Sequence, residues 1–332
     1  MKPVKVITLG EILFRLSPDL ANDAAAMFIG GAEANVAASL ARWGTTVAYI
    51  SKLPENGLSK EVAAQLEKRG ITTDRMLYGG ERIGVYYLAQ GSDLKHAEVV
   101  YDRANSSFSK IAPGTVDWQS LLRDASWLHW SAITPALNEN MATICKEILE
   151  AASRLGMTIS TDLNYRSKLW QYGQHPVAVM PSLVNYCDVI MGNIWAANMM
   201  LDTPLDTDAL AANTREAYLQ QAEVVSADLL KRYPRCKRVA FTFRFSDGPT
   251  HNRYYAFYNN SNEISISKEY ETYEVADRVG SGDSFMAGLI HAQLKGSTDQ
   301  EIISYAAAAA YSKFFVRGDF NTTSENDILK LI

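Results

Sequence analysis

The chain is poor in cysteine and histidine. It has only three cysteines, far apart and without a Cys-x-x-Cys pair, and five histidines that show no metal-ligand spacing. This pattern excludes a disulfide framework and a cysteine–histidine zinc site, and it is typical of a reducing compartment. We therefore expect a cytoplasmic protein in which Cys145, Cys187 and Cys236 are buried thiols.

Runs of like charge and long apolar runs are also missing. The 32 basic and 37 acidic residues give a net charge of −5, with no basic run, which argues against nucleic acid as the main partner. No segment approaches the length of a membrane span, and the apolar run near the start, Val4–Leu9, is too short for a signal peptide. We expect no nucleic-acid or membrane partner, whereas a small acidic substrate needs only one or two placed cations.

What the 332 residues do contain is a repeated order of short apolar run, turn and helical stretch. This alternation predicts an α/β fold with a mostly parallel central sheet flanked by helices, in one domain spanning residues 1–332. The apolar runs are Val4–Leu9, Val47–Ile50, Met157–Thr161, Val189–Met191 and Val239–Phe243, and the helical stretches are Asn35–Trp43, Ser59–Arg69, Glu139–Leu155, Arg215–Arg232 and Ser284–Leu294.

Two regions break this order, at about residues 11–29 and 79–107. Their alternating segments, such as Arg82–Leu88 and Glu98–Arg103, predict the strands of a small extra sheet inserted as a lid. A further hairpin is expected at Arg253–Tyr273, turning at Asn259–Asn262. The alanine run Ala306–Ala310 predicts a closely packed helix.

A glycine-rich loop near the C-terminal end reads Asp-Arg-Val-Gly-Ser-Gly-Asp-Ser-Phe from Asp277. The backbone of Gly280, Ser281 and Gly282 can turn its N–H groups toward one anion, and a helix beginning near Ser284 would add its positive dipole end. A carboxylate beside a phosphate site repels the phosphate, so Asp283 indicates a general base toward a substrate hydroxyl. The alternative is an aspartate N-cap that closes a tight loop. This segment alone does not decide between them.

A second glycine pair precedes an alanine-rich helix at Gly30–Ala38. Gly31 permits close backbone approach, and Asn35 offers both a donor and an acceptor to a polyol. The alternative is a small-residue helix packed tightly on the sheet. The segment lacks the Lys-Ser/Thr of a P-loop and the third glycine of a dinucleotide-binding fingerprint.

Together, the glycine pair with Asn35 and the Gly280–Asp283 loop resemble the two signature regions of the ribokinase-like (PfkB) carbohydrate kinases, in the same order and over essentially the whole chain. This resemblance implies a β lid over the sugar and transfer of the ATP γ-phosphoryl group to a primary hydroxyl, with Mg²⁺. It makes Asp283 the base and the amides of Gly280, Ser281 and Gly282 the anion hole. A homodimer through the lid is also typical of the family.

Within the family, three features resemble the 2-keto-3-deoxygluconate kinases. They are Arg-Leu-Ser-Pro at Arg15–Pro18, the D-x-N-x-R-x-x-L-W pattern at Asp162–Trp170, and lid residues 86 and 101–103. By this resemblance the substrate is 2-dehydro-3-deoxy-D-gluconate, phosphorylated at its 6-hydroxyl. Guanidinium groups suit its carboxylate, and tyrosines can pack on its carbon chain. The expected substrate contacts are Gly31, Asn35, Tyr86, Tyr101, Arg103, Asp162, Asn164 and Arg166.

Each of these features has an alternative. Arg166 could pair with Asp162 or lie on the surface, and Tyr86 and Tyr101 could be cross-strand packing. Fructokinases carry the same D-x-N-x-R-x-x-L-W segment, so a fructokinase or another PfkB sugar kinase is the alternative function. The family's usual N-x-x-E segment reads Asn-Ile-Trp-Ala at Asn193–Ala196, without the glutamate. A non-catalytic sugar- or nucleotide-binding relative is therefore the alternative from another class.

The resemblance also implies a nucleotide side. It places the ATP phosphates and ribose beside Phe241–Gly248, while Arg244 could instead be a surface arginine. Asp277 and the loop Arg317–Asn321 resemble the family's potassium-linked region. His129, beside a tryptophan, is expected in the core or at its rim. The expected nucleotide contacts are Asn193, Thr242, Arg244, Gly248, Gly280 and Gly282.

Overall fold

Alternating strands and helices build the structure, a computed structural model that describes residues 1–88, 99–246 and 251–332. Its strands are β1 Val6–Leu9, β2 Leu13–Asp19, β3 Ala24–Gly30, β4 Val47–Ile50, β5 Lys52–Leu53, β6 Ile71–Thr72, β7 Leu77–Tyr78, β8 Gly84–Tyr87, β9 Val100–Asp102, β10 Trp127–Ser131, β11 Thr158–Asp162, β12 Val189–Gly192, β13 Arg238–Ser246, β14 Asn252–Asn259, β15 Ile264–Ile266 and β16 Tyr270–Thr272. Its helices are α1 Ala32–Arg42, α2 Gly57–Glu67, α3 Trp118–Leu122, α4 Glu139–Arg154, α5 Pro176–Val184, α6 Ile194–Leu201, α7 Thr207–Leu210, α8 Arg215–Arg232, α9 Ser281–Leu294, α10 Asp299–Ser312 and α11 Glu325–Leu329.

The main sheet has the strand order β15-β14-β13-β12-β11-β10-β1-β4-β6, with β16 also on β14. Pairing is parallel from β13 to β6 and antiparallel around β14, so the predicted mostly parallel sheet is confirmed. Helices cover both faces of the parallel strands, and β1 and β4 are therefore buried at every residue. Along β12, Ile190 contributes to one core while Val189 and Met191 contribute to the other.

Helices α9 and α10 pack closely in one of these cores. A Cβ added at Gly288 would lie 2.7 Å from Cα of Ala306, so glycine is needed for this approach. The run Ala306–Ala310 is fully buried, which confirms the predicted packed helix. The packing positions the N-terminal end of α9, where the glycine-rich loop enters it.

The lid is a separate four-stranded sheet in the order β3-β2-β8-β9, from the two predicted regions of the chain. The hairpin between β14 and β15 also turns where predicted. Glu98, which was included in a predicted lid strand, lies outside the described residues.

Other expectations from composition concern the interior. The three cysteines are buried and free, as predicted. His129 is buried in β10, where its Nδ1 lies 3.1 Å from Ser160 Oγ, and burial lowers its pKa to about 3. Within the described ranges, every helix is too short or too polar to cross a bilayer.

Candidate active site

A cavity of about 340 Å³ lies between the lid and the carboxyl ends of the parallel strands. Its wall brings together most of the residues singled out from the sequence: Gly31, Asn35, Tyr86, Tyr101, Arg103, Asp162, Asn164, Arg166, Asn193, Thr242, Arg244, Gly280, Ser281, Gly282 and Asp283. Gly248 lies outside the described residues, and Asp277 is not part of the wall.

Helix α9 begins at Ser281, three residues before the predicted start, which corrects that prediction. Gly280 is the N-cap residue, and its φ of 81° turns the chain directly into the helix. A Cβ at Gly280 would lie 2.4 Å from the Asp319 carbonyl oxygen, whereas one at Gly282 would meet no described atom within 4 Å. Gly280 therefore serves the fold, and Gly282 leaves space where the first N–H groups of α9 can receive an anion.

Asp283 lies in the first turn of α9, so the alternative that it is the N-cap is wrong. Its Oδ2 accepts a hydrogen bond of 2.7 Å from Nδ2 of Asn35 on α1, and the side chain is buried. Burial raises the pKa of Asp283 to about 8; Asp162 and Glu33 act in the same direction, while Asn35 and Arg166 oppose it. A carboxyl group with a pKa in this range can exchange a proton with a bound hydroxyl near neutral pH.

Asp162 ends β11 and contributes a second buried carboxyl group to the wall. Its Oδ1 accepts the N–H of Asn164 at 2.9 Å, and burial raises its pKa to about 6. Among the described residues, Arg166 forms no ion pair within 4.0 Å of a carboxylate, so the alternative of a direct pair with Asp162 is not seen, although the Arg166 charge opposes the rise in the pKa of Asp162. Arg166 is half-buried and faces the cavity, so the surface alternative is wrong.

Arg103 has an intramolecular partner that the sequence analysis missed. Its Nε and Nη2 lie 2.8 and 2.7 Å from Oε2 of Glu11, and both side chains are buried. The other Glu11 oxygen, Oε1, has no hydrogen-bond partner among the described residues. A Cβ at Gly84 would lie 2.4 Å from this oxygen, so glycine at that position leaves room for the glutamate.

Glu33 is a further acidic residue of the wall that was not predicted to act. Its Oε1 accepts a hydrogen bond of 2.5 Å from Ser131 Oγ, and burial raises its pKa to about 7. Its position in the sequence could have indicated this, because Glu33 lies between the predicted substrate contacts Gly31 and Asn35. The cavity floor thus holds three carboxyl groups with raised pKa values, Glu33, Asp162 and Asp283, which suit the hydroxyl groups of a polyol.

The two lid tyrosines pack on each other and also face the cavity. Tyr86 and Tyr101 are opposite residues of β8 and β9, and their ring centroids are 6.3 Å apart. The hydroxyl of Tyr86 donates a 3.1 Å hydrogen bond to Oδ1 of Asp319, which lies in the loop Arg317–Asn321 that the resemblance links to potassium. The two tyrosines therefore pack across the strands, as the alternative predicts, and they also line the cavity.

On the opposite side of the cavity, Asn193 is the N-cap of α6. Its Oδ1 accepts the N–H of Ala196 at 2.8 Å, and Ala196 is buried in the core in place of the usual glutamate. Arg244 is half-buried in the wall rather than on the surface. Arg278, for which no role was predicted, also faces the cavity, and its Nη2 donates to Asn252 Oδ1 at 2.6 Å.

The donor set fits a metal ion that arrives with a nucleotide. Within the described part of the chain, no three histidine, cysteine or acidic residues are grouped so that they could hold a metal by themselves. Mg²⁺ commonly takes only one or two protein carboxylates and completes its shell with phosphate and water oxygens. Asp162 ends β11 and Asn193 follows the adjacent strand β12, so they can supply such ligands directly or through water.

Comparisons with known proteins agree with this geometry. A crystal structure of a 2-dehydro-3-deoxygluconokinase from Thermotoga maritima is 37% identical, with a TM-score of 0.89 and 99% of each chain covered. The 2-dehydro-3-deoxygalactonokinase of Haloferax volcanii is 27% identical over 99% of this chain and 96% of its own. A putative ribokinase II from E. coli, solved in complex with ATP and Mg²⁺, shares the fold at 19% identity and a TM-score of 0.76, over 99% of this chain and 98% of its own.

The family follows from the extent of the match. The model of the pfkB family carbohydrate kinases matches residues 5–322, almost the whole chain. The fold expected from the resemblance, an α/β core with a separate small sheet, is confirmed. This chain belongs to the pfkB family of carbohydrate kinases, phosphotransferases that act on a sugar hydroxyl.

Proposed function

We propose that the chain transfers the γ-phosphoryl group of ATP to the 6-hydroxyl of 2-dehydro-3-deoxy-D-gluconate, giving the 6-phosphate and ADP. The observation that carries the proposal is the buried carboxyl of Asp283, which lies in the first turn of α9 beside the open space at Gly282. Asn35 from α1 holds this carboxyl by a hydrogen bond. Two relatives similar over almost the whole chain act, by their names, on 2-dehydro-3-deoxy sugar acids.

In the proposed step, a carboxylate oxygen of Asp283 accepts the proton of the 6-hydroxyl. The hydroxyl oxygen forms a bond to the γ-phosphorus as the bond from that phosphorus to the β–γ bridging oxygen breaks, and ADP leaves with the electron pair. The amides of Gly280, Ser281 and Gly282, at the positive end of α9, stabilise the charge on the phosphoryl oxygens. Mg²⁺ bound to the nucleotide, facing Asp162 and Asn193, would supply further positive charge.

Arg166 is our candidate for the substrate carboxylate. It is half-buried in the wall and lacks a carboxylate partner among the described residues, so it can form a charge-assisted pair. Arg103 is already balanced by Glu11 and would contribute a hydrogen bond rather than a free charge. The remaining proposed contacts are Gly31, Asn35, Tyr86, Tyr101, Asp162 and Asn164 for the sugar, and Asn193, Thr242, Arg244, Gly248, Gly280 and Gly282 for ATP.

We further propose that the lid and the main sheet form one domain and that the lid excludes water from the transfer. The buried pair of Glu11 and Arg103 lies where the two meet and supports this organisation. Exposed apolar side chains on the lid, such as Leu20 and Met27, support a homodimer through it, which light scattering would test. Three free, buried cysteines support a cytoplasmic location.

A coupled ADP-release assay tests the function. The panel contains 2-dehydro-3-deoxygluconate, its galactonate epimer, 5-dehydro-2-deoxygluconate, fructose and ribose, and we expect the highest kcat/KM with the first. A higher value with fructose would favour the fructokinase alternative. ATP binding without ADP release for any sugar would favour the non-catalytic alternative that Ala196 suggests. In the same assay, Asp283→Asn removes the proposed base. Its control is Asp208→Asn, the same substitution at an exposed position.

A further inference from the structure

Four charged side chains lie directly behind the anion-binding loop. They are Arg15 on the lid strand β2, Asp277 just before the loop, Lys313 after α10, and Asp319; we call them the four-charge cluster. Lys313 is 0% exposed, and the side chains of Arg15, Asp277 and Asp319 are 4%, 10% and 1% exposed. Charges are rarely buried to this degree unless they balance one another, as two cations and two carboxylates do here.

Arg15 bridges both carboxylates of the cluster. Its Nη2 lies 2.7 Å from Oδ2 of Asp277, and its Nε lies 2.8 Å from Oδ2 of Asp319. Oδ2 of Asp277 also accepts the N–H of Gly318 at 3.1 Å, and Oδ1 accepts the N–H of Val279 at 3.0 Å. Both oxygens of Asp277 therefore have partners from the protein.

Lys313 brings the second cation close to the loop itself. Its Nζ donates a 2.7 Å hydrogen bond to the carbonyl of Val316, and its Cε lies 3.5 Å from where a Cβ would stand on Gly280. Burial lowers the pKa of Lys313 to about 8, while the nearby carboxylates of Asp277 and Asp319 oppose this shift. The ammonium group thus lies beside the left-handed residue that starts the anion hole.

These contacts do not fit the monovalent cation that the resemblance implies for Asp277 and residues 317–321. A potassium ion needs several oxygen atoms that replace its water shell. Here the oxygens of Asp277 and the carbonyl of Val316 already accept hydrogen bonds from the protein. A further cation would also give the balanced cluster an uncompensated buried charge.

We propose that Arg15 and Lys313 are built-in cations that take the place of a monovalent metal ion, so that this chain binds nucleotide and turns over without K⁺. Lys313 acts here as a positioning residue: it holds Gly280, and through it the anion hole, without touching the substrate. The turnover arm of the test rests on the proposed function, whereas the nucleotide-binding and diffraction arms need no sugar.

The first experiment uses the unaltered protein. Titration with ADP and steady-state turnover are measured in potassium chloride and in tetramethylammonium chloride of equal ionic strength. A difference below threefold in both the ADP affinity and the turnover rate supports the proposal. An increase by K⁺ of threefold or more in either quantity overturns it. Crystals soaked in thallium(I), a K⁺ mimic, should show no anomalous peak at the four-charge cluster; a peak on the Asp277 oxygens would overturn it. If no sugar acid is phosphorylated, the ADP and thallium results still decide.

The second experiment removes the ammonium group. We expect Lys313→Ala to lower ADP affinity or kcat at least tenfold in tetramethylammonium chloride, and K⁺ or methylammonium to restore at least threefold. Lys330→Ala, an exposed change in the same C-terminal segment, should match wild type. Wild-type behaviour of Lys313→Ala, or a loss that no cation restores, would contradict the proposal, because a merely structural lysine gives no ion-specific rescue. If Lys313→Ala does not fold, the first experiment decides alone.

Discussion

Replacing Asn35 with leucine would test whether the α1 helix tunes the base. Nδ2 of Asn35 donates a 2.7 Å hydrogen bond to Asp283 Oδ2 inside the wall, and this bond favours the ionised carboxylate. Leucine has a similar size and cannot donate, and it keeps water out of the space. The pKa of Asp283, already raised to about 8 by burial, should therefore rise further.

The size of this rise follows from the strength of a hydrogen bond to a charged group. Such a bond contributes about 1.5–3 kcal/mol, which corresponds to a pKa change of about 1–2. A general base works only when ionised, so kcat/KM at pH 7 should fall about 10- to 100-fold from this cause alone. The loss should diminish as the pH rises, because the carboxyl then ionises in the variant as well.

The assay is the pH dependence of kcat/KM, which reports on the free enzyme. Wild type should show a limb that rises through a midpoint near pH 8, and Asn35→Leu should move that midpoint upward. Loss of a sugar contact by Asn35 would lower the plateau without moving the midpoint, so the two effects separate. Asn185→Leu, an exposed change at the residue directly after α5, is the control. An unmoved midpoint in Asn35→Leu would refute the proposed link between Asn35 and the base.

Four further predictions concern residues in and beside this site. Asp283→Asn should lower kcat by about 10²–10⁴-fold while ATP binding by calorimetry persists, and near wild-type turnover would exclude the general-base role. Because burial raises the pKa of Asp283, wild type without ligands should lose stability relative to this variant between pH 4 and 8 in urea unfolding, and match it below pH 4. Arg166→Ala should weaken transition-state stabilisation for the sugar acid, calculated from kcat/KM, by about 1.5–3 kcal/mol and barely affect that for fructose. Equal losses for both substrates would exclude the carboxylate contact. Ala196→Glu should lower the free energy of unfolding by several kcal/mol rather than raise turnover, since position 196 is 3% exposed in the core; a gain in rate without loss of stability would contradict this.

The sheet could be predicted because its central strands are buried on both faces. Burial on both faces requires continuous apolar runs, and runs such as Val47–Ile50 stand out against the flanking helical patterns. The start of α9 could not be predicted in the same way. Its first turn, Ser-Gly-Asp-Ser, has no apolar periodicity, and the helix begins there only because Gly280 adopts a left-handed conformation. The apolar pattern became visible at Ser284, where the start was placed.

The buried ion pairs were missed for a different reason. Arg103 and its partner Glu11 are 92 residues apart, and Arg15 and Asp277 are 262 residues apart. Spacing along the chain indicates which side chains share a helix or strand face, but it carries no information on pairs formed between distant segments. Arg103 is therefore expected at the substrate carboxylate from its residue type and from the resemblance of the lid positions, although its charge is already balanced by Glu11.

The glycine-rich motif alone would not make Asp283 a base. Its pKa depends on burial, on Asn35 and Glu33 from α1, and on the carboxyl group of Asp162 from β11. An aspartate in the same motif without these neighbours would be solvated and ionised, with a pKa near 4 and little capacity to take a proton from a sugar hydroxyl. These neighbours reach the site from α1 and β11, which are far from α9 along the chain, so the chemistry requires the assembled fold. The catalytic group is therefore this set of contacts across segments, which explains why the motif marks the position of the base while the fold sets its proton affinity.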